Sequence, residues 1–261
     1  MIPIVLIRFI IKSFIDPSKL WQVVSFKKKT AIQLFLLLSV IIAFPFFMTN
    51  LRSFSVMAKD AEQILDRLPE FEIHDGEIEF SQPLETALVA KTNTISLIID
   101  PNNQYDDREE QKDIERTQVS LLFKEDHFTF RTPQLPIEIA YQNAEGLTDA
   151  FFRTLLQRMS QMTILVILPI LLASLLTGVI EAAIRYLFFT LIANLFSLFM
   201  NIRLPFFVNF KILMAASFVP TFILSLLNGL QIFPAGQMII LLGITLYMYY
   251  KGVISHFKNL T

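Results

Sequence analysis

Residues 30–51 read TAIQLFLLLSVIIAFPFFMTNL, a run of 22 residues without a charged side chain. An α-helix rises about 1.5 Å per residue, so about 20 apolar residues cross a hydrocarbon core about 30 Å thick. The lysines Lys27, Lys28 and Lys29 come directly before the run. This stretch therefore predicts a membrane-spanning helix, and the rest of the chain is interpreted outward from it.

The composition of the whole chain also favours a membrane protein. Of the 261 residues, 54% are hydrophobic and 17% are charged, and the mean hydropathy is +0.54. Soluble domains carry about 25% charged residues. These values argue against a soluble enzyme or a disordered chain. The absence of cysteine excludes disulfides, thiolate metal sites and cysteine nucleophiles.

Charge is strongly segregated along the chain. Residues 51–155 hold 21 of the 23 acidic residues and 10 of the 22 basic ones, a net charge of −11, whereas the remainder carries +10. A polar, acidic block between apolar, basic segments is typical of a water-exposed domain carried by membrane helices. The sequence thus predicts an integral membrane α-helical protein with a small inserted domain at 51–158.

Four further apolar runs predict additional spans in a C-terminal membrane domain, 159–261. They cover residues 159–180, 186–202, 212–229 and 235–250, which brings the expected number of transmembrane helices to five. Asn228-Gly229 and Pro234-Ala235-Gly236 predict a tight turn between the last two spans. An alternative is that residues 159–202 form one crossing plus a re-entrant or interfacial helix.

The distribution of basic residues predicts the orientation. Residues 1–29 read as a cytoplasmic amphipathic leader, with Arg8 and Lys12 on one face of a short helix that can lie in the membrane plane or pack against the spans. The positive-inside rule then places residues 51–158 outside the plasma membrane. Five spans leave Arg203, Lys211 and Lys251 outside, against that rule, whereas the alternative places them inside.

The inserted block predicts a small α+β domain. Apolar residues at helical spacing over 53–68 predict an amphipathic helix that Pro69 ends. Asp75-Gly76, between the runs FEI and EIEF, predicts a β-hairpin. Strands are expected at 95–99, 119–123, 128–130 and 137–141, a solvated helix or a loop at 106–116, and a helix from about Thr148 into the second span.

Three blocks resemble the bacterial domain-of-unknown-function 1189 family, whose members are often labelled maltodextrin-utilisation membrane proteins. They are WQVVSFKKKTAIQLFLLLSVIIAFP at 21–45, residues 68–100 with LPEFEIHDGEIEF and TNTISLIID, and residues 207–252 with FKILMAASFVPTFILSLL and LYMYYKG. The resemblance implies a plasma-membrane protein of Gram-positive-type bacteria, sometimes encoded beside maltodextrin uptake genes. It implies no activity and no catalytic residues.

Few residues are candidates for chemistry. The histidines show no metal-binding spacing, and the acidic run 106–113 lacks the order of a specific cation loop, so we expect no metal or other cofactor and no catalytic residue. Glu181 and Arg185 are four residues apart and are expected to form an ion pair in a short loop between spans, although an ionisable residue at membrane depth is a functional hypothesis. The candidate interaction or structural residues are Asp75, Gly76, Asp100, Glu181, Arg185 and Pro220.

These features predict a non-enzymatic membrane accessory protein whose outside domain binds a partner or ligand. The expected partners are the lipid bilayer and another membrane protein, with a sugar ABC transporter or an envelope complex as candidates, and no nucleic acid. A small transporter or channel subunit is the first alternative, and an envelope enzyme acting on lipid or glycan is the second.

Overall fold

The computed structural model describes residues 2–132, 135–161 and 164–258, which divide into two compact units. The membrane unit contains the residues up to Asn50 and those from Leu168 onward, and the sheet unit is Leu51–Ile167. The chain is mostly helical, with a small sheet region.

Four helices in the described residues are long and apolar enough to cross a membrane. They are α2 (Lys28–Leu65), α5 (Ile164–Phe199), α6 (Phe206–Gly229) and α7 (Gln237–Lys258). Many of their large apolar side chains are exposed, such as Leu165 at 79% and Ile239 at 77%. Such faces are stable against lipid rather than water, so the chain has the character of a multi-pass membrane protein.

Helix α5 differs from the expected division into two spans. The predicted spans 159–180 and 186–202 fall largely in this one continuous helix, and the loop expected at 181–185 is helical. The segment Glu181-Ala-Ala-Ile-Arg185 contains no glycine or proline, and its two charged residues pair one turn apart, so nothing in it interrupts a helix. The prediction of a loop was wrong because it rested on the two charged residues alone, and these pair with each other within the helix.

The N-terminal leader packs against one end of the membrane unit. It consists of α1 (Ile2–Ile15) and a 3-10 helix (Pro17–Ser25). The Trp21 ring stacks on His256 near the end of α7, with ring centroids 4.1 Å apart. Lys211, in the second turn of α6, donates hydrogen bonds to the carbonyls of Val24 and Phe26 at 3.1 and 2.7 Å. The start of α6 and the end of α7 therefore lie at the leader's end of the unit.

The described residues of the sheet unit contain seven strands, two complete α-helices, the C-terminal part of α2 and a 3-10 helix (Tyr141–Asn143). A hairpin pairs β1 (Phe71–His74) with β2 (Glu77–Phe80), as Asp75-Gly76 predicted. A five-stranded sheet has the order β3-β4-β5-β6-β7. Its strands are β3 (Leu88–Lys91), β4 (Ile95–Ile99), β5 (Val119–Phe123), β6 (His127–Arg131) and β7 (Pro136–Ala140). Four of them were expected from the sequence, and β3 was not.

Helices cover both faces of the central strands. Strands β4 and β5 pair in parallel and are joined through α3 (Asp107–Arg116), so the 106–116 segment is a helix rather than a loop. Ile114 of α3 packs with Ile98 and Leu122 on one face. The other face joins a core that includes Ile64 of α2 and Phe152 of α4 (Asp149–Ser160).

Two helix boundaries differ from those expected in this region. Helix α4 ends at Ser160, because the next residue, Gln161, is extended (φ −89°, ψ 114°), so it does not run on into the second span. The helix expected at 53–68 is the C-terminal part of α2, which continues unbroken from the first apolar run to Leu65.

Candidate functional site: a polar cavity in the membrane unit

The membrane unit contains a cavity of about 600 Å³ between α2, α5, α6 and α7. Its wall includes Asn50 of α2, Asn228 at the end of α6 and Gln237 at the start of α7. Asn228 and Gln237 lie at the ends of α6 and α7 that are farther from the leader. Ligand-binding pockets span about 300–1,000 Å³, so the cavity has the size of a small-molecule site.

The ion pair of Glu181 and Arg185 lines this cavity. The two side chains are one turn apart on α5, and the Arg185 guanidinium donates a hydrogen bond to Glu181 Oε1. Their side chains are 33% and 11% exposed, respectively. The expected i,i+4 pair is confirmed, but it lies in the middle of a long apolar helix. Charged groups at such positions are costly unless they pair or face a polar cavity, and this pair does both.

Several polar atoms of the cavity wall are buried without a hydrogen-bond partner among the described residues. They are Arg185 Nε, Asn228 Oδ1 and Gln237 Oε1, whereas the Thr221 hydroxyl lies beside the Tyr186 hydroxyl. A buried polar atom left unpaired costs about 1–3 kcal/mol, and such atoms are rare in native proteins. These atoms belong to residues that line the cavity, but the atoms themselves have almost no accessible surface, so they lie beneath the cavity wall rather than on it.

Close helix packing and one proline shape the cavity. Gly178 of α5 lies against α2, because a Cβ at this position would be 2.5 Å from the Ser39 carbonyl oxygen and 2.7 Å from Ala43 Cβ. Pro220 is buried within α6 and cannot donate a backbone hydrogen bond to the preceding turn. It directly precedes Thr221, so the candidate Pro220 lies beside the cavity rather than in it.

A hydrogen-bonded layer joins the helices on the leader side of the cavity. Ser217 of α6 donates to the Tyr186 hydroxyl at 2.9 Å. Tyr249 donates to Asn209 Oδ1 at 2.7 Å, and Asn209 in turn donates to Asn194 Oδ1. The network links α5, α6 and α7 through buried side chains. It holds the unit together where the cavity ends.

The candidates Asp75 and Gly76 form the turn of the β1–β2 hairpin. Their φ angles of 50° and 80° are both positive, the geometry of a tight hairpin turn, which Asp and Gly tolerate well. Next to them, His74 Nδ1 lies 2.9 Å from Glu145 Oε1, and this hydrogen bond raises the pKa of His74. His74, Asp75 and Glu145 form the one group with metal-ligand geometry in the described residues, and all three are exposed.

The candidate Asp100 is fully buried at the end of β4. Its carboxylate accepts hydrogen bonds from the backbone N–H groups of Gln104 and Tyr105 at 2.8 and 3.0 Å, and Lys124 Nζ lies 3.6 Å away. These partners fix the turn after the strand. The carboxylate therefore serves the local fold and faces no cavity among those described.

The acidic helix α3 uses part of its charge in contacts within the sheet unit. Glu110 pairs with Lys124, and Asp113 pairs with Lys91 and accepts a hydrogen bond from Tyr105 Oη at 2.6 Å. The pKa of Asp113 is lowered: burial acts to raise it, but the hydrogen bonds from Lys91 and Tyr105 outweigh burial. The same contact with Asp113 raises the pKa of Tyr105, so this phenol stays protonated at neutral pH.

A family model described as "Protein of unknown function (DUF1189)" matches residues 8–253. The chain belongs to the DUF1189 family. No curated protein and no solved structure matches the chain. The DUF1189 description assigns no activity and names no sugar, so the link to maltodextrin use stays a prediction.

Sequence reasoning about this DUF1189 chain found two residues of the cavity and missed the cavity itself. Glu181 and Arg185 were singled out by their charge in an apolar region. Asn228 was interpreted as part of the turn between the last two spans, and Gln237 was not considered. The available signal was that uncharged polar residues recur near the ends of the spans, but only the packing of four helices shows which of them converge.

Proposed function

We propose that this DUF1189 chain is a non-enzymatic plasma-membrane protein of a bacterium whose membrane unit binds a polar or amphiphilic ligand in the cavity. The observation that carries the proposal is a cavity of about 600 Å³ among the apolar helices, whose wall contains the ion pair of Glu181 and Arg185 beside uncharged polar side chains. A neutral ion pair and uncharged polar side chains in one wall suit the binding of a ligand.

We propose further that α2, α5, α6 and α7 cross the membrane once each, which makes four crossings. The contacts of the leader with the start of α6 and the end of α7 support an even number, because they bring the N-terminal and C-terminal segments to one end of the unit. That end holds Lys27, Lys211 and Lys251. The positive-inside rule then favours the cytoplasm for it, and the conflict raised by five spans disappears.

This topology places the sheet unit outside the membrane, where it is free to contact a partner. Its net negative charge and its two helix-covered sheet faces suit a soluble domain at the cell surface. The accessory role, in which the sheet unit or the membrane helices bind a transporter or an envelope complex, rests on the resemblance and on this architecture. Support for a sugar-uptake system rests on the resemblance alone.

A small transporter is the second candidate, and the specific observation in its favour is a charged pair inside a cavity within the spans. The hydrogen-bonded layer around Tyr186 and Asn209 argues for binding instead, since it ties the helices together on the leader side. Vesicle uptake separates the two: a transporter accumulates the ligand that protects the cavity, whereas a binding protein holds it without flux.

The native absence of cysteine makes the binding test direct. Ser225, which lines the cavity, is replaced by Cys, and its reaction rate with N-ethylmaleimide is measured in detergent, with and without a total extract of the source bacterium. An extract whose ligand is present at ten times its Kd leaves about a tenth of the sites free and slows labelling about tenfold. Asn102→Cys, exposed in the sheet unit, is the matched control and keeps its rate.

Equal rates for Ser225→Cys with and without both the lipid-soluble and the water-soluble fractions would show that the cavity binds nothing from the cell. Equal slowing of Ser225→Cys and Asn102→Cys would point to a general effect of the extract on the reagent. Either result contradicts the binding function.

A further inference from the structure

We infer that the outward face of the leader helix α1 binds anionic phospholipids of the membrane. The face consists of Arg8, Ile11, Lys12 and Ile15, and none of these residues lines the cavity, so the inference goes beyond the proposed function. Three features support it: the packing that orients the helix, the mixture of basic and apolar side chains on the face, and the charge of the leader.

The four residues share one side of α1, and packing holds that side outward. Their spacing along the helix places them within an arc of about 100°, and all four are exposed. On the opposite side, Leu6 and Ile10 are buried in one apolar cluster with Met214 of α6. The Phe9 ring contacts the Phe26 ring just before α2, with ring centroids 5.4 Å apart. Rotation of α1 would expose Leu6 and Ile10 and is therefore unfavourable.

The composition of the face matches the headgroup level of a bilayer. Ile11 and Ile15 are 46% and 78% exposed, so in water they would forgo most of their hydrophobic stabilisation. In hydrocarbon, Arg8 and Lys12 would lose the hydration of their charges. At the interface, the isoleucine side chains reach the acyl chains while the flexible basic side chains extend to the phosphate groups. The interface is therefore the environment that suits both kinds of residue.

The charge of the leader selects anionic lipids over neutral ones. Residues 1–29 contain six basic residues and one acidic residue, a net charge of +5. The acidic residue, Asp16, pairs with Lys19 at 3.0 Å, whereas Arg8 and Lys12 form no salt bridge with any carboxylate of the described chain. Residues 27–29, all lysines, are exposed where α2 begins, and the helix dipole disfavours cations at that end. Phosphodiester anions compensate this excess of positive charge.

A membrane lipid fits this face better than a soluble anion or an acidic protein segment. The leader packs at the end of the membrane unit where α2 begins, and the apolar run of α2 starts at Thr30, so the bilayer surface lies beside the leader. A soluble anion would bind the basic residues but would leave Ile11 and Ile15 in water. An acidic protein segment would have to displace lipid, which is present there at high local concentration.

The single tryptophan of the chain gives a direct readout of lipid at the leader. Trp21 lies in the 3-10 helix, so quenching of its fluorescence by lipids with brominated acyl chains reports lipid bound beside the leader. The purified full chain in detergent micelles is titrated with brominated phosphatidylglycerol or with phosphatidylcholine of the same brominated chains. We expect half-maximal quenching at a mole fraction of phosphatidylglycerol about 30-fold lower, because Arg8 and Lys12 each contribute about fivefold near anionic lipid. A rise in salt from about 0.1 M to about 1 M should reduce this preference, since salt screens exposed charges.

Variants of the full chain test which residues bind the lipid. Arg8→Gln with Lys12→Gln should remove most of the preference for phosphatidylglycerol and leave quenching by phosphatidylcholine unchanged. Arg108→Gln with Lys112→Gln is the matched control, because these residues are also exposed and four apart on a helix, but belong to α3 of the sheet unit. Ile15→Ser should weaken the binding of both lipids severalfold, since the side chain no longer contributes apolar contact. If the leader variants are not recovered from the membrane, the salt dependence of the wild type tests the same charges.

Equal half-maximal mole fractions of the two lipids, or a preference that salt does not reduce, would overturn the inference. An undiminished preference in the Arg8/Lys12 variant, or an equal loss in the Arg108/Lys112 control, would overturn the assignment to this face. Glycerol phosphate has the same anionic group without acyl chains, and we expect it not to compete; competition at the concentration of the lipid would instead identify a soluble anion as the occupant. None of these results changes the labelling of Ser225→Cys, so the proposed cavity function is tested separately.

Discussion

Replacement of Glu181 by Gln should destabilise the membrane unit more than replacement of Glu181 and Arg185 together. The single change leaves a guanidinium whose side chain is only 11% exposed without its carboxylate partner. Removal of one partner from a buried ion pair costs about 3–5 kcal/mol. Because Glu181 is 33% exposed to the cavity, where water can compensate, we expect the lower end of that range, about 3 kcal/mol.

The assay is thermal unfolding of the purified full chain in one detergent, followed by the loss of the monodisperse peak in size-exclusion chromatography. One kcal/mol shifts Tm by about 2–4 °C in chains of 150–250 residues. The single variant should therefore melt about 6–12 °C below the wild type, and Glu181→Gln with Arg185→Gln should recover part of this loss. The recovery is expected because the double variant leaves two neutral amides and no unpaired charge.

A matched pair in the sheet unit provides the control. Asp149 and Arg153 are also four residues apart on a helix, but Arg153 keeps hydrogen bonds to the carbonyls of Leu65 and Leu68 after Asp149→Asn. Partly exposed pairs contribute about 1 kcal/mol or less, so this variant should lose only about 2–4 °C. Two results would refute a buried, coupled pair. One is a Tm of the double Glu181/Arg185 variant as low as that of Glu181→Gln. The other is a decrease in Tm for Glu181→Gln no larger than that for Asp149→Asn.

Three further outcomes are expected. Gly178→Ala should lower Tm and membrane yield, because its Cβ would lie 2.5 Å from a backbone oxygen of α2. Gly243→Ala is the control: its Cβ would have nothing within 4 Å, so the change should raise the free energy of unfolding by about 0.5–1 kcal/mol. A stabilising Gly178→Ala would contradict the close contact between α5 and α2. Glu145→Gln should bring the raised pKa of His74 back toward 6.5 in an NMR titration, and an unchanged titration would rule out the pairing. In the wild type, the ion pair stabilises the fold fully at pH values below 6.5, and this stabilisation is lost as the pH rises through the raised pKa. Asn102→Cys should react with a membrane-impermeant maleimide on intact cells, and labelling that occurs only after lysis would place the sheet unit in the cytoplasm.

Local patterns predicted the sheet unit well because its elements are encoded in short stretches of sequence. The Asp75-Gly76 turn and the apolar runs at 95–99 and 119–123 fixed the hairpin and the two central strands. Strand β3 was missed because LVAK, at the edge of the sheet, is short and shows no alternation that distinguishes it from a loop. Its identity comes from pairing with β4, which is a tertiary contact.

The positions of the apolar helices were predicted, but the continuity of α5 was not. Each apolar run was found, and the α6–α7 turn falls where Asn228-Gly229 and Pro234-Ala235-Gly236 predicted it. Helix α5 was divided because charges are expected at the ends of spans, and Glu181 and Arg185 were interpreted in that way. Whether such a pair lies in a loop or inside a helix depends on what surrounds it, and here the surroundings come from α2, α6 and α7, which are distant in the sequence.

The same two residues explain why the cavity could not be derived from the sequence. A charged pair interrupts an apolar helix only at a cost in free energy, unless the fold provides polar surroundings for it. Here the surroundings are Thr221, Asn228 and Gln237, from the two helices that follow α5 in the chain. None of these residues alone differs from a polar residue at a span end. The departure of Glu181 and Arg185 from the simple apolar pattern is therefore what the sequence alone reveals of the cavity.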